Sequence, residues 1–195
     1  MKHPASDPFE QFANWYGLAG QTGIEKTNAL TLSTRDESGQ VSSRIVLLSS
    51  FDHRGFVFHT NYRSHKAQQI ENDNRVALLF WWDPLGYQVR ITGRAEKTLA
   101  AESDAYFSQR PRGSQIGAWA SEQSTVIESR DVLTRRIEKL NQQYAGQEVP
   151  RPPHWGGYRV VPDSFEFWIN QESRLHDRFL YTREDQQWRW VRLAP

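Results

Sequence analysis

The sequence predicts an α+β fold: an antiparallel sheet closed into a barrel, with helices at its periphery. Three observations lead there. Eight short runs rich in β-branched and aromatic residues recur along the chain, separated by turn signals such as DESGQ, FDHRG, DPLG and REDQQ. Several of these connections are too short to hold a crossover helix, so neighbouring runs pair antiparallel. Helical patterns interrupt the strand series at a few places only, which fits a sheet-based barrel with added helices.

The first element is a helix. Asp7 is placed to cap it, Pro8 to open it, and Phe9, Phe12, Trp15 and Tyr16 form an apolar stripe at helical spacing. The expected strands are ALTLST (29–34), SSRIVLLSS (42–50), GFVFHT (55–60), RVALLFWW (75–82), YQVRITGRAEK (87–97), FEFWI (165–169), RFLYT (178–182) and WRWVRL (188–193). Three helical insertions lie between them. SHKAQQIEND starts at Ser64 as cap. AAESDAYFSQR ends at Pro111, followed by a short piece from Ser114. VIESRDVLTRRIEKLNQQYAG places Ile127, Leu133, Ile137, Leu140 and Tyr144 near helical spacing and stops at Gly146.

The chain has 195 residues and no repeat, low-complexity tract or linker, so a single domain over 1–195 is expected. The net charge of +1 leaves no global field to attract nucleic acid, and any basic function must come from local clusters. There is no cysteine, which excludes disulfides, thiolate metal sites and cysteine nucleophiles. The six histidines are scattered, without metal-ligand spacing. No P-loop, dinucleotide fingerprint or nucleophile elbow is present. The N-terminus MKHPASDPFEQF lacks the apolar core of a signal peptide, and no run approaches membrane-spanning length. A soluble, cytoplasmic protein is expected.

Four local clusters of cations remain. Arg44 opens the otherwise apolar strand IVLLSS. Arg63, His65 and Lys66 surround Ser64 at a helix start, where cations oppose the helix dipole unless an anion binds there. Tyr106 and Arg110 are one helical turn apart, and Ser114 follows where a new helix begins; together they suit a phosphate. In ESRLHDRFLY (172–181), Arg174, His176 and Arg178 alternate, so on a strand they share one face, with Asp177 on the other. Repulsion between them calls for an anion. The clusters outnumber what one anionic ligand needs, which suggests two phosphorylated ligands.

RIVLL, TNYRSHKAQQIE, RPRGSQIGAWAS with a following QS, WGGYRV, EFW, RLHDRFLY and the terminal RLAP, in order from about Asp7 to Pro195, resemble the pyridoxamine 5′-phosphate oxidase family. The resemblance implies a split β-barrel homodimer with flavin mononucleotide (FMN) at each of two subunit interfaces. It implies oxidation of pyridoxine or pyridoxamine 5′-phosphate to pyridoxal 5′-phosphate, with dioxygen as acceptor and hydrogen peroxide as product. It carries flavin contacts onto Arg44, Ile45, Val46, Leu47, Leu48, His59, Thr60, His65, Lys66, Gln88, Gln123, Ser124, Trp168 and Arg178. Ser49, Tyr106, Arg110 and Ser114 fall at positions that hold the substrate phosphate. Arg174 and His176 fall over the pyridine ring and its reacting carbon, as the catalytic pair.

Three departures from the family pattern stand out. Serine occupies position 49, where lysine is usual; a lost charge-assisted contact is worth about 1.5–3 kcal/mol. His59 and His65 stand where tyrosine and arginine are usual. The chain also starts late relative to a family segment that can fold over the substrate. A phenazine-biosynthesis branch carries serine at position 49, which makes an oxidase of a dihydrophenazine-type precursor the alternative. Tyr106, Arg110 and Ser114 favour the phosphorylated vitamer.

Overall fold

The computed structural model describes residues 3–185 and 187–195. Eight strands form one antiparallel sheet: β1 (Ala29–Arg35), β2 (Val41–Asp52), β3 (Gly55–Asn61), β4 (Arg75–Trp82), β5 (Tyr87–Lys97), β6 (Trp155–Ile169), β7 (Asp177–Glu184) and β8 (Gln187–Leu193). They lie in the order β3-β2-β1-β4-β5-β6-β7-β8, and β3 also pairs with β6. That extra pairing closes six strands into a barrel and leaves β7 and β8 as an extension, the split-barrel arrangement.

The long strand β6 makes the split. Its first half, Trp155–Val160, pairs with β3, and its second half, Ser164–Ile169, pairs with β7. Pro162 sits between the halves, opposite Gly93, where the β5–β6 register shifts. Proline has no N–H for the ladder, so it fits this break.

The sequence expectation of a strand starting at Phe165 was therefore ten residues too short. The glycines of WGGYRV resemble a loop signal, but they serve close packing. A Cβ on Gly157 would stand 2.7 Å from Thr98 Oγ1, and one on Gly156 would stand 2.9 Å from Ser103 Oγ.

Among the described residues, five α-helices surround the barrel: α1 (Pro8–Gly20), α2 (His65–Asn72), α3 (Ala100–Ser108), α4 (Arg112–Ala120) and α5 (Arg130–Gln143). Asp7 caps α1 by accepting from the Phe9 N–H at 2.8 Å, with Pro8 in the first turn, as expected. The apolar stripe of α1 covers the barrel core: Phe12 is fully buried and meets Phe51, Phe56 and Phe80 edge-on at 4.8–5.0 Å. Two helix starts differ from expectation. α4 begins at Arg112, directly after Pro111, and α5 begins at Arg130, because the Ser129 hydroxyl caps it by accepting from the Asp131 N–H. A smaller core of Phe107, Ile116, Val149 and Trp155 fixes α3 and α4 against the start of β6.

Candidate active site

A cleft runs between β2, β3, α2 and the α3–α4 corner. It comprises two adjoining cavities of about 360 and 230 Å³ that share His59, Thr60, Arg110, Gln123 and Trp155. Ser114, Asn61 and Ser121 line one of them; Ser49, Lys66, Tyr106 and the edge of the 45–47 segment line the other. Among the described residues, no aspartate or glutamate lines either cavity.

The cations of this cleft are held by neutral partners. Lys66 Nζ donates to Thr60 Oγ1, Ser64 Oγ and Gln123 Oε1 at 3.2–3.3 Å. Burial, reinforced by the nearby Arg44 charge, lowers its pKa to about 8. Arg44 donates to the Leu32 carbonyl, Thr34 Oγ1 and Gln69 Oε1, and burial lowers its pKa as well. It lies on an interior strand, between β1 and β3.

Arg110 lies with its guanidinium carbon 4.5 Å from the Trp155 ring centroid, and its buried Nη1 has no hydrogen-bond partner. Among the described residues, no carboxylate pairs with Arg44, Lys66 or Arg110. Two cations that line the cleft, Lys66 and Arg110, with Arg44 near enough to Lys66 to lower its pKa, and no counter-ion suit the cleft to an anion.

One wall is aromatic. The His59 ring stacks on Tyr106 at 3.9 Å and 6°, and on Trp155 at 5.2 Å and 15°. Its Nδ1 is 2.8 Å from Ser49 Oγ. Burial, with Arg110 and Arg151 adding repulsion, lowers the His59 pKa to about 4, so the ring is neutral at ordinary pH. Tyr106 belongs to α3, whereas Arg110 lies just past its end; the α3–α4 corner, not a shared helix face, brings the two together with Ser114. At the start of α2, the His65 N–H donates to Ser124 Oγ, which holds the Gln123–Ser124 segment over Lys66. The Ser64 side chain does not cap α2, contrary to expectation; it accepts from Lys66 instead.

Along β2, Ile45 and Leu47 turn outward and are 64% and 48% exposed, Val46 is half-buried, and Leu48 faces the core. Leu48 therefore has only its backbone to offer a ligand, and Asn28 already takes both of its backbone groups.

The remaining predicted residues form a second group elsewhere, joined by Trp81, which sequence reasoning did not single out. Trp81, Gln88, Trp168 and Arg178 are successive cross-strand partners on β4, β5, β6 and β7. His176 packs on Trp168 with ring centroids 4.4 Å apart. None of these residues, nor Arg174, lines the cleft. His59 pairs with Gly157 and Gln88 with Trp168, so the two groups are eleven residues apart along β6. That is roughly 35 Å of extended strand.

The strand expected over ESRLHDRFLY forms only in its second half. Glu172–Arg174 is a short 3₁₀ turn, and Ser173 and Arg174 have φ of 55° and 61°; β7 starts only at Asp177. The three basic residues do not alternate along one strand. Arg178 is paired across the sheet with Glu166 at 2.8 Å, a carboxylate that Arg90 also contacts and that a local reading cannot see. His176 Nδ1 accepts from the Gln171 N–H, and Asp177 bonds Gln171 and Arg192. Sequence reasoning did not single out Trp155, Gln69 or Glu166, although Trp155 lies beside the quoted WGGYRV motif.

Two family models match the chain. One, described as pyridoxamine 5′-phosphate oxidase, covers residues 19–144; the other, described as the pyridoxine 5′-phosphate oxidase C-terminal dimerisation region, covers 155–195. The chain belongs to the pyridoxamine 5′-phosphate oxidase family. Family members named pyridoxine/pyridoxamine 5′-phosphate oxidase include one from Rubrobacter xylanophilus, 54% identical over 97% of this chain and 87% of its own length. Another, from Acaryochloris marina, is 50% identical over the same shares. Among solved structures, PhzG from Burkholderia lata in complex with tetrahydrophenazine-1-carboxylic acid superposes with a TM-score of 0.94 at 31% identity, over 100% of this chain and 95% of that one. An FMN-binding protein from Nostoc punctiforme shares the fold, with a TM-score of 0.78 at 16% identity, over 97% of this chain and 98% of that one.

Proposed function

We propose that the protein is a cytoplasmic, FMN-dependent oxidase that converts pyridoxine or pyridoxamine 5′-phosphate to pyridoxal 5′-phosphate. Dioxygen is the acceptor and hydrogen peroxide the by-product. The observation that carries this reading is a cleft rich in cations and hydroxyls that holds no carboxylate. It suits ligands bearing phosphate, and relatives at 50–54% identity carry the name of an enzyme that acts on such a substrate.

The residues fit two phosphates in neighbouring places. Lys66, with Thr60, Gln123 and the Ser124–His65 contact around it, is suited to the phosphate of FMN. Arg110, whose Nη1 lacks a partner, is suited with Tyr106, Ser114 and Ser49 to the substrate phosphate. A guanidinium with a free N–H and a stacked tyrosine hold a phosphate at a fixed distance from the reacting carbon, and fixed placement of that kind accelerates a reaction. Bound FMN supplies the two-electron acceptor that dioxygen restores.

Arg174 and His176 cannot join this cleft from within the same chain, given their separation along β6. We therefore place the active site between two single-domain copies of the chain in a homodimer. The cleft of one copy faces the Gln88–Trp168–Arg178 row, Arg174 and His176 of the other. The outward Ile45 and Leu47 and the half-exposed Trp81 supply apolar surface for that contact. Arg174 orients the substrate ring, and His176, seated on Trp168, presents its ring beside the reacting carbon.

The direct test is to purify the protein with FMN and supply pyridoxine 5′-phosphate under oxygen, following pyridoxal phosphate and peroxide. Flavin binding without either product overturns the reading. The serine at position 49 and the fold match to PhzG give a second reading, oxidation of a dihydrophenazine carboxylate. Turnover of that compound with no turnover of the phosphorylated vitamer would establish it.

A further inference from the structure

Ser49 and His59 lie on paired strands, and their side chains meet at 2.8 Å; His59 belongs to the wall that both cavities share, and Ser49 lines the one that also holds Lys66. One proton lies between them, and two arrangements satisfy the contact. Either the serine donates to Nδ1 and the ring proton sits on Nε2, or Nδ1–H donates to Oγ and Nε2 is bare. The surroundings of Nε2 decide between them. Nε2 is buried and has no hydrogen-bond partner. Its neighbour across the sheet is Gly157, whose backbone groups are already engaged: the N–H donates to Ser103 Oγ, and the carbonyl accepts from the Thr98 N–H. A Cβ on Gly157 would stand 3.1 Å from Nε2, so glycine points a Cα–H at that nitrogen. A Cα–H facing a lone pair is weakly attractive, whereas facing an N–H it is repulsive and leaves that donor orphaned. The proton therefore belongs on Nδ1.

We propose that His59 is a positioning residue. Its Nδ1–H donates to Ser49 Oγ, and this leaves the Ser49 hydroxyl hydrogen free to donate into the cleft, onto an anionic oxygen of the ligand. The inference rests on the phosphate reading of the cleft and deepens it. Residue 49 grips the ligand as a neutral donor whose direction is set from behind. Burial, and then the charged groups around the ring, keep it neutral. Arg110 beyond α3 and Arg151 before β6 both oppose a third positive charge there, and Tyr106 and Trp155 cover the ring faces.

Two measurements test this. The first is the ¹⁵N spectrum of the histidine rings in the FMN-loaded protein, with the His59→Asn variant assigning the signal. The expected result is a protonated Nδ1 and a bare Nε2, unchanged from about pH 5 to 8. A protonated Nε2, or an imidazolium in that range, overturns the proposal. The second is kinetics with pyridoxine 5′-phosphate. Ser49→Ala should raise KM by about ten- to a hundredfold, the worth of one hydrogen bond to a charged group, with kcat nearly kept. His59→Leu should raise KM similarly, and His59→Asn should recover most of the loss, because its side-chain N–H stands where Nδ1–H stood. Adding Ser49→Ala to His59→Leu should cost little more; fully additive losses, or losses in kcat alone, overturn the coupling. If no vitamer phosphate is turned over, the functional reading fails on its own, and the ring spectrum still decides the position of the proton.

Discussion

Lys66 and His59 are the two residues of the cleft whose protonation the fold alters most usefully. Burial holds the Lys66 pKa at about 8, below its ordinary 10.5. The unfolded chain therefore binds more protons between those values, and stability gained from this residue rises with pH through that window. An anion placed on Nζ reverses the depression. Binding of FMN at about pH 9 should thus be accompanied by proton uptake, read by calorimetry in two buffers of different ionisation heat. The uptake should vanish near pH 6 and in Lys66→Met. The sign for His59 is the same, in a more acidic window. Its folded pKa of about 4 lies below the ordinary 6.5, so acidification through that interval protonates the unfolded chain but not the native one. Stability should fall as pH drops from 6.5 towards 4, and urea titrations at those pH values should show a shallower acid limb in His59→Asn.

At the scale of elements, α1 and β6 carry the most structural consequence. Phe12 of α1 is fully buried among Phe51, Phe56, Phe80 and Trp82, so Phe12→Ala should cost about 3–5 kcal/mol, measured by denaturant unfolding. Gly157→Ala tests β6. The new methyl meets Thr98 and His59 Nε2 at 2.7–3.1 Å, and should cost about 1–3 kcal/mol while disturbing the aromatic wall. Most strands were legible from their runs of β-branched and aromatic residues: β4 and β5 match their expected limits, and β1, β2 and β3 differ by one or two residues at their ends. The first half of β6 was not legible. Its glycines and proline carry turn chemistry in isolation, and only the neighbours across the sheet explain them. The 172–176 segment failed for the opposite reason: its alternating pattern suits a strand, but the chain turns there with Ser173 and Arg174 in the left-handed region.

Across the whole molecule, the site residues fall into two groups at opposite ends of β6, and the proposed homodimer joins one group from each copy. Mixing two inactive variants tests this arrangement. Arg110→Ala disables one half and Arg174→Ala the other, and each alone should abolish most turnover. In a mixed dimer, one of the two sites receives both intact halves. Random exchange makes about half of the dimers mixed, so about a quarter of the wild-type activity should return after subunit exchange. Activity that stays at the level of the single variants, with mixed dimers present by mass spectrometry, removes the shared-site arrangement. Ile45→Asp should shift the protein toward monomer in light scattering, because it buries a charge in the proposed contact.

The sequence by itself determined the α+β class, the strand series, the capping of α1 by Asp7 and the concentration of cations around positions 44, 66 and 110. Each of these follows from local pattern: periodicity, turn residues, and charge placed where the chain alone gives no reason for it. Only the tertiary structure decided which cations lack a counter-ion. Arg178 is answered by Glu166 from the neighbouring strand, while Lys66 and Arg110 are met only by neutral groups. It also decided that Ser49 meets His59, ten residues away, and that Arg174 and His176 lie apart from the cleft. Pairing across a sheet sets those relations. It brings together residues whose separation along the chain holds no periodic signal.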